Sequence, residues 1–317
     1  MTIDRRTVLA AAAAALLAGA ATAPAHAEPA KTLRVAYQKY GTLVLLKARG
    51  TLEQALKPLG VTVTWTEFPA GPQLLEALNV GAVDFGVVGE APPIFAQAAG
   101  APLRYVAYDP PAPEGEAILV PKDSPLKTVA DLKGKTIALN KGSNVHYLLV
   151  KALEEAHVPY SAVKTAFLVP SDARAAFVQG AVDAWVIWDP YEAAAEAGTG
   201  ARILRDGKGL VNNYQFYVSS RDYQAANPRV IDILVQQIDA TEKLVVADIK
   251  GTAKKLAPDV GIPAPVLAVA LGREAFGLKR VTADVVRQQQ EVADTFYRLK
   301  LIPKPIRIAD AWEKSGS

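Results

Sequence analysis

Residues 72–100 read PQLLEALNVGAVDFGVVGEAPPIFAQAAG, and the fold prediction starts from this stretch. Leucines recur at helical spacing and are followed by a glycine, which is a common way for a helix to end. The apolar run at 83–88 is typical of a strand buried on both faces of a parallel sheet. Gly89 and Glu90 then turn the chain, and Pro92 suits the first turn of a helix. The stretch therefore predicts a helix–strand–helix unit of an α/β fold.

The same pattern occurs a second time in the chain. Gly-Ala-Val-Asp stands at 81–84 and again at 180–183, and each copy continues with an apolar run, a carboxylate residue and a proline. A second pair of segments, 33–41 and 136–142, shares this order, because each reads as a strand followed by an amide, a lysine and a glycine. Any two βα units look somewhat alike, but the common order and register favour two similar lobes.

The element order predicts an α/β protein with two similar sheets, parallel or mixed, joined by two crossover strands. Strands near 118 and 218 would carry the chain out of the first lobe and back. Lobe I would then comprise residues 28–118 and 218–317, and lobe II residues 119–217. Ligands bind beyond the carboxyl ends of parallel strands. If the lobes face each other, one cleft would collect Gln38, Glu90, Ser143, Asn144 and Asp189, with Gly89 beside Glu90 as a further candidate ligand-binding residue.

Residues 1–27 are predicted to be an export signal. Arg5 and Arg6 precede an alanine-rich apolar run, and residues 25–27 read Ala-His-Ala, a small-x-small cleavage pattern. The arginine pair resembles the twin-arginine motif in part, so the general secretory route stays open. The chain has no cysteine and therefore no disulfide, no thiol nucleophile and no lipoprotein anchor. A soluble periplasmic protein is expected.

The composition argues against several classes of function. The formal net charge is +3 and no long basic run occurs, so nucleic acid is not expected as a partner. No Ser-His-Asp set, metal-ligand cluster, phosphate-binding loop or dinucleotide glycine motif is found. Only His146 and His157 would survive removal of the signal. Catalysis, a bound metal and a cofactor are therefore not expected.

Several segments together carry a family resemblance. They are Tyr37-Gln38-Lys39 with Gly41, residues 65–73, 90–93 and 97–100, Lys141-Gly142-Ser143 with His146-Tyr147, residues 184–191 and residues 213–217. With them the chain resembles the aliphatic sulfonate-binding proteins of bacterial ABC importers almost from end to end. The resemblance implies a two-lobed, type II-like periplasmic binding protein with a small organic sulfonate as ligand and an inner-membrane ABC permease as partner. A monomer is expected. Asn144 departs from the family pattern, because a small residue is expected there at the pocket floor.

A sulfonate requires a site made of hydrogen-bond donors. It is anionic at any physiological pH, with three acceptor oxygens and no proton, so neutral side chains and backbone N–H groups suit it. Gly142, Ser143 and Asn144 open a predicted helix, whose N-terminus offers unpaired N–H groups and a partial positive charge. An alternative is that Ser143 or Asn144 is a plain N-cap of this helix.

Other donors and an apolar wall are predicted around this helix. Gln38 would donate its amide N–H, or be a satisfied turn residue. Tyr214 would offer its hydroxyl. Trp188, next to a strand end, would line a channel for the organic tail, whereas Trp185 in mid-strand is predicted to be core.

Four titratable residues need separate interpretations. A bare carboxylate would repel the anion, so Glu90 and Asp189 are expected to cap helices and face away, or to be satisfied by a lysine or a ligand amine. Arg174 would reach the cleft as a cationic partner or lie on a solvated face. His146 would either contact the anion as an imidazolium or pack in the helix interface. The positive helix end beside His146 favours packing.

The sequence therefore predicts a non-catalytic receptor that delivers an alkanesulfonate to an ABC permease, with lobe closure as the signal. Alternatives within the same class are receptors for taurine, nitrate or a pyrimidine-type compound. The alternative from another class is a pyrimidine-synthesis enzyme on the same scaffold, which needs reactive His or Cys residues.

We expect export to cleave the chain after Ala27 and to release a soluble protein that starts at Glu28, because the small-x-small pattern ends there. N-terminal sequencing of periplasmic material tests this. A mature chain that retains residues 8–21, or one found only in membranes, would contradict it.

Overall fold

The computed structural model describes residues 31–312, so the predicted signal at 1–27 lies outside the described residues. Eleven strands form its framework. Numbered along the chain, they are β1 Thr32–Tyr37, β2 Thr62–Glu67, β3 Phe85–Gly89, β4 Leu103–Asp109, β5 Glu116–Val120, β6 Thr136–Leu139, β7 Lys164–Phe167, β8 Ala184–Trp188, β9 Arg202–Asp206, β10 Gln215–Ser220 and β11 Lys279–Arg280.

Helices cover the faces of the sheets and fill the C-terminal part of the described chain. They are α1 Gly41–Arg49, α2 Thr51–Leu56, α3 Gly71–Asn79, α4 Pro92–Ala98, α5 Asn144–Glu155, α6 Pro170–Val178, α7 Tyr191–Thr199, α8 Arg221–Ala226, α9 Pro228–Ala247, α10 Ile249–Val260, α11 Ala264–Arg273 and α12 Ala283–Arg298. Short 3-10 turns lie at Lys57–Leu59, Pro113–Gly115, Val129–Leu132, Tyr160–Ala162 and Ile308–Ala311.

The two sheets share one strand plan. The six-stranded sheet has the order β11-β4-β10-β3-β1-β2, and the five-stranded sheet has the order β7-β6-β8-β5-β9. In each sheet the repeated unit supplies a parallel pair, and a single antiparallel strand, β10 or β5, lies beside that pair. The predicted α/β fold with two similar mixed sheets is confirmed.

The described chain passes between the sheets twice. Residues 110–115 connect β4 of the first sheet to β5 of the second, and residues 207–214 connect β9 back to β10. Both passages lie a few residues before the lobe boundaries expected at 118 and 218. The strands β5 and β10 therefore belong wholly to one sheet each, and irregular segments make the passages.

Hydrogen bonds at the strand starts show the internal repeat directly. Asp84 Oδ2 accepts a hydrogen bond from the Arg34 backbone N–H (2.8 Å), and Asp183 Oδ2 accepts one from Thr136 N–H (2.8 Å). The Asp84 and Asp183 N–H groups in turn donate to the carbonyl oxygens of the same two partners. Each aspartate thus anchors the repeated strand to its parallel neighbour, at the end of the sheet opposite the carboxyl ends of the strands.

Two apolar clusters form the core. One packs a face of the first sheet, including Val35 and Phe85, against helices such as α9 and α11. The other runs continuously from the first sheet to the second and contains Trp185, which is fully buried as predicted. Phe296 of α12 belongs to this shared cluster. Helices of the C-terminal part therefore cover the first sheet, and α12 also contacts the second half of the molecule.

Among residues 31–312, no single helix combines the length and the apolar composition needed to cross a membrane. Helices α10 and α11 meet both requirements only together, and their axes turn by 115° at the break between them. Both contribute buried side chains, including Leu256 and Leu267, to the cluster on the first sheet.

The two aspartates give a matched test of the repeat. The Asp84 side chain is 3% exposed and the Asp183 side chain 41% exposed. We expect Asp84→Ala to lower the free energy of unfolding by roughly 2–3 kcal/mol, because buried donors lose their acceptor. We expect Asp183→Ala to lower it by less than about 1 kcal/mol, because water replaces the carboxylate. Urea unfolding measures both, and equal losses would contradict this difference.

Candidate ligand-binding site

A cavity lies between the two sheets, at the carboxyl ends of β1, β3 and β8 and at the start of α5. Five predicted residues line it, namely Gln38, Gly89, Ser143, Asn144 and Trp188. The other lining residues are Tyr40, Gly71, Pro92, Asn213 and Gln215. The cavity encloses about 20 Å³. A water needs roughly 10–15 Å³, so the cavity as it stands is too small for a sulfonate.

A chain of neutral hydrogen bonds forms the wall from the first sheet. Gln38 Nε2 donates to the Val87 carbonyl oxygen (3.1 Å) and to Tyr40 Oη (3.2 Å). Tyr40 Oη donates to Gln215 Oε1 (2.8 Å). These bonds fix the orientation of each polar group and bring no formal charge to this side of the cavity.

The start of α5 forms the opposite wall. Ser143 occupies the N-cap position, but its side chain accepts no hydrogen bond from the helix. Its Oγ donates instead to the Asn140 carbonyl oxygen (2.7 Å). The alternative that Ser143 is a plain side-chain cap is therefore not observed. The His146 N–H donates to the Ser143 carbonyl oxygen (3.0 Å), so the N–H groups of Asn144 and Val145 are the ones that keep their capacity to bind an anion.

Gly142 does not offer its N–H group to the cavity, although it was predicted to belong to the binding site. Its φ of +74° requires glycine, and its N–H donates to His146 Nδ1 (3.2 Å). This N–H is therefore already used within the protein. Gly142 lines a neighbouring groove of about 230 Å³ with Pro92 and Phe95 rather than the cavity itself.

Asn144 connects the two halves of the molecule. Its Oδ1 accepts a hydrogen bond from Ala91 N–H (3.2 Å), and its Nδ2 donates to Asn213 Oδ1 (2.5 Å). A Cβ atom at Gly89 would lie 2.0 Å from Asn144 Oδ1. Only glycine at position 89 therefore allows Asn144 to occupy the floor of the cavity.

Among the side chains that line the cavity, that of Trp188 has a buried polar atom without a hydrogen-bond partner. Its ring is buried, and its Nε1–H has no acceptor among the described residues. An indole N–H can only donate, and leaving such a donor buried and unpaired costs about 1–3 kcal/mol. Trp185 Nε1 is also unpaired, but Trp185 does not line the cavity.

His146 lies behind the cavity wall, in a cluster of aromatic rings. It is fully buried, and its ring stacks on Phe95 at 6.3 Å between centroids. Burial, with a smaller contribution from the charge of Lys141, lowers its pKa to about 4. Nδ1 accepts from Gly142, so the proton of the neutral ring resides on Nε2, which lies 2.8 Å from Tyr160 Oη. His146 therefore packs in the helix interface as a neutral ring, and it does not contact the cavity as an imidazolium.

Asp189 and Glu90, the carboxyl residues that follow β8 and β3, differ in their hydrogen bonds. Asp189 Oδ1 accepts from Ala193 N–H (3.0 Å) and so caps α7, while burial raises the pKa of Asp189 to about 6. Glu90 caps no helix. Its Oε2 accepts from Tyr214 N–H (3.3 Å), and burial raises its pKa to about 7. Glu90 lines a separate cavity, so the symmetric role expected for the pair holds only for Asp189.

Tyr214 and Arg174 lie away from the cavity. The Tyr214 hydroxyl donates to Gln288 Oε1 (2.9 Å), whereas its neighbours Asn213 and Gln215 line the cavity. Arg174 is exposed on α6, whose Ala173 and Phe177 face the core. Arg174 therefore lies on a solvated face of its helix, which is the second of its two predicted positions.

Several lining residues were not predicted from the sequence, although they stand at strand ends or beside predicted residues. Asn213 and Gln215 flank the predicted Tyr214, and Gln215 is the first residue of β10. Asp109 ends β4 as Glu90 follows β3, and it lines an adjoining cavity. Within residues 31–312, no group of three or more His, Asp or Glu side chains is arranged to hold a metal ion.

Comparison with known proteins agrees with this fold. Residues 57–247 match the NMT1/THI5-like family. Over 305 residues the chain is 44% identical to an aliphatic sulfonates-binding protein of Escherichia coli (strain K12), covering 96% of this chain and 95% of the relative. The chain belongs to the aliphatic sulfonate-binding protein family. The expectation of a binding protein rather than an enzyme is confirmed at this level.

Solved structures of the family are similar throughout. The alkanesulfonate-binding protein SsuA from Xanthomonas axonopodis pv. citri, bound to MOPS, aligns with a TM-score of 0.87 at 43% identity and covers 91% of this chain and 100% of that chain. The periplasmic aliphatic sulphonate-binding protein SsuA from Escherichia coli aligns with a TM-score of 0.81 at 44% identity, covering 90% and 92%.

Because His146 is buried as the neutral form, we expect the free energy of unfolding to depend on pH. The unfolded chain takes up a proton near pH 6.5, whereas folded His146 resists protonation until about pH 4. Its stabilising contribution is therefore complete above about pH 6.5 and is lost as pH falls toward 4, by up to about 3 kcal/mol. Urea unfolding of wild type and His146→Gln at several pH values measures it. The difference between the two proteins should shrink on acidification, and parallel curves would contradict a buried neutral imidazole.

Proposed function

We propose that this protein binds an alkanesulfonate anion in the cavity between its sheets and delivers it to an ABC permease. The observation that carries the proposal is that Trp188, whose buried Nε1–H is unpaired, lines the same cavity as Ser143 and Asn144 at the start of α5. A ligand oxygen would satisfy both. The names of the family members support the sulfonate as ligand.

The donors suit a permanently charged oxyanion. A sulfonate has no proton to give, so a site built from acceptors would reject it, and a bare cation is not required when several dipoles converge. Trp188 and the first N–H groups of α5 are donors, and the dipole of α5 adds a partial positive charge. The polar atoms of Gln38 and Tyr40 are already paired, so their role is to hold the wall in place.

Ligand entry requires the two halves to separate, because the cavity now encloses only about 20 Å³. The passages at 110–115 and 207–214 are the covalent links between the sheets and would form the hinge. Lobes I and II, divided at these passages rather than within β5 and β10, would then close on the ligand. The permease would recognise the closed form, a hinge movement of a known kind.

The cellular setting follows from the predicted signal and from the family. The Escherichia coli member is a periplasmic protein, and residues 1–27 carry the features of an export signal. We infer a monomer of the periplasm, exported through the twin-arginine or the general secretory route, which works with an inner-membrane ABC permease.

Two tryptophans test the proposal as a matched pair. Trp188→Phe keeps the aromatic ring and removes the N–H, so we expect at least tenfold weaker binding of an alkanesulfonate, or about 1.4 kcal/mol. Trp185→Phe removes an equally buried, unpaired N–H outside the cavity. It should change the urea midpoint but not the affinity. Isothermal titration calorimetry with methanesulfonate and longer alkanesulfonates measures affinity.

The same titrations with taurine, sulfate and nitrate decide the ligand class. The wild-type protein should bind alkanesulfonates more tightly than sulfate or nitrate. Tighter binding of nitrate, or equal losses of affinity in the two tryptophan variants, would contradict the proposal.

A further inference from the structure

The side chain of Asn144 fills the floor of the cavity beside the start of α5. Asn144 is the first residue of that helix and is buried. A Cβ atom at Gly89 would lie 2.0 Å from Asn144 Oδ1 and 2.2 Å from Nδ2, so both polar atoms of the amide lie against this glycine. The amide therefore takes up the space between the carboxyl end of β3 and the N-terminus of α5.

The carbonyl group of this amide uses a backbone donor of the first sheet's half of the molecule. Asn144 Oδ1 accepts a hydrogen bond from the Ala91 N–H (3.2 Å). Pro92 and Pro93 follow and have no N–H, so Ala91 supplies the one backbone donor of residues 91–93. A sulfonate oxygen is a charged acceptor and binds an N–H more strongly than a neutral amide oxygen does. The two kinds of oxygen therefore compete for the same donor.

The same amide is connected to both passages between the sheets. Its Nδ2 donates to Asn213 Oδ1 (2.5 Å), and Asn213 Nδ2 donates to the Ala112 carbonyl oxygen (2.8 Å). Asn213 belongs to the passage at 207–214 and Ala112 to the passage at 110–115. These neutral hydrogen bonds join the floor of the cavity to the proposed hinge.

We propose that Asn144 is an internal competitor of the ligand and that its amide sets the affinity of this protein for sulfonates. This inference rests on the proposed function, because the sulfonate is the competing group. A sulfonate that binds the N–H groups of Asn144 and Val145 would have to displace the Asn144 amide from the floor. Displacement breaks the hydrogen bonds to Ala91 and Asn213, and their loss makes binding less favourable.

Asn144→Ala isolates this competition, because it removes the amide and keeps the backbone N–H groups of α5. We expect isothermal titration calorimetry to show methanesulfonate bound about fivefold more tightly, or better, than by the wild type, which is the scale of one neutral hydrogen bond. The urea midpoint should fall at the same time, because buried hydrogen bonds are lost. Weaker binding would make Asn144 a ligand-binding donor, and unchanged affinity would make it a purely structural residue. Either result overturns the proposal.

Asn140→Ala is the matched control. Asn140 and Asn144 are both 6% exposed, but Asn140 Nδ2 donates to the Leu168 carbonyl oxygen (3.5 Å) and Asn140 does not line the cavity. This variant should lower the urea midpoint and keep the wild-type affinity. A gain in affinity as large as that of Asn144→Ala would mean that lost stability, and not lost competition, tightens binding.

Asn213→Gly tests the same competition if Asn144→Ala does not fold. Residue 213 has a φ of +51°, which glycine adopts freely, and the change removes one of the two hydrogen bonds that hold the Asn144 amide. Methanesulfonate should bind more tightly, by a smaller factor than in Asn144→Ala. In the double variant the two gains should not add, because Asn213 no longer has an amide to hold. Fully additive gains would contradict the proposal.

A crystal structure of the wild-type protein with methanesulfonate shows the displacement directly. The distance from Asn144 Oδ1 to the Ala91 nitrogen should exceed about 3.5 Å, the limit of a hydrogen bond. A sulfonate oxygen should take its place. A bound sulfonate with the Asn144 amide still bonded to Ala91 would overturn the proposal.

The calorimetric results separate this inference from the function on which it rests. If neither the wild type nor Asn144→Ala binds methanesulfonate or longer alkanesulfonates, the proposed function fails. If both bind them with the same affinity, the protein is a sulfonate receptor and the competition by Asn144 alone is overturned.

Discussion

The pairing registers of two antiparallel strands, β10 in the first sheet and β5 in the second, determine where the side chains around the cavity lie. At the end of β3 Gly89 pairs with Gln215 of β10, and on the other side of β10 Gln215 pairs with Asp109 of β4. In the second sheet Glu116 of β5 pairs with Trp188 of β8. A shift of one residue in either ladder would turn each side chain to the opposite face. The donors and the carboxyl groups are thus positioned by the sheets and not by flexible loops.

Charge is distributed unevenly around this region. The first-sheet wall of the cavity consists of neutral groups whose hydrogen bonds are mutually satisfied, whereas burial raises the pKa values of Glu90, Asp189 and Glu274 nearby. Buried carboxyl groups with few cationic partners tend to hold their protons near neutral pH, which limits their repulsion of an anion. The molecule therefore places acidic residues close to the cavity without surrounding it with fixed negative charge.

The fold could be predicted from the sequence because the residues that form the repeat have strict local structural requirements. Gly-Ala-Val-Asp marks a turn, a buried strand and an anchoring aspartate, and the hydrogen bonds of Asp84 and Asp183 follow the same pattern. The cavity was predicted in part. Gln38, Ser143 and Trp188 stand at strand or helix ends, where chain direction alone brings them together. Glu274 was not predicted, because its place depends on how α11 packs, which no local pattern records.

Gly89 and Asn144 are far apart in the sequence but are constrained as a pair. The side chain of Asn144 fills the space that a Cβ at position 89 would need, and it uses that space to bond Ala91 and Asn213. Alanine at 89 becomes acceptable only after position 144 has become smaller, and a smaller residue at 144 gives up both bonds. The order of substitutions is therefore restricted during divergence within the family. A change at 144 must come first, and the two positions should vary together among descendants of this sequence.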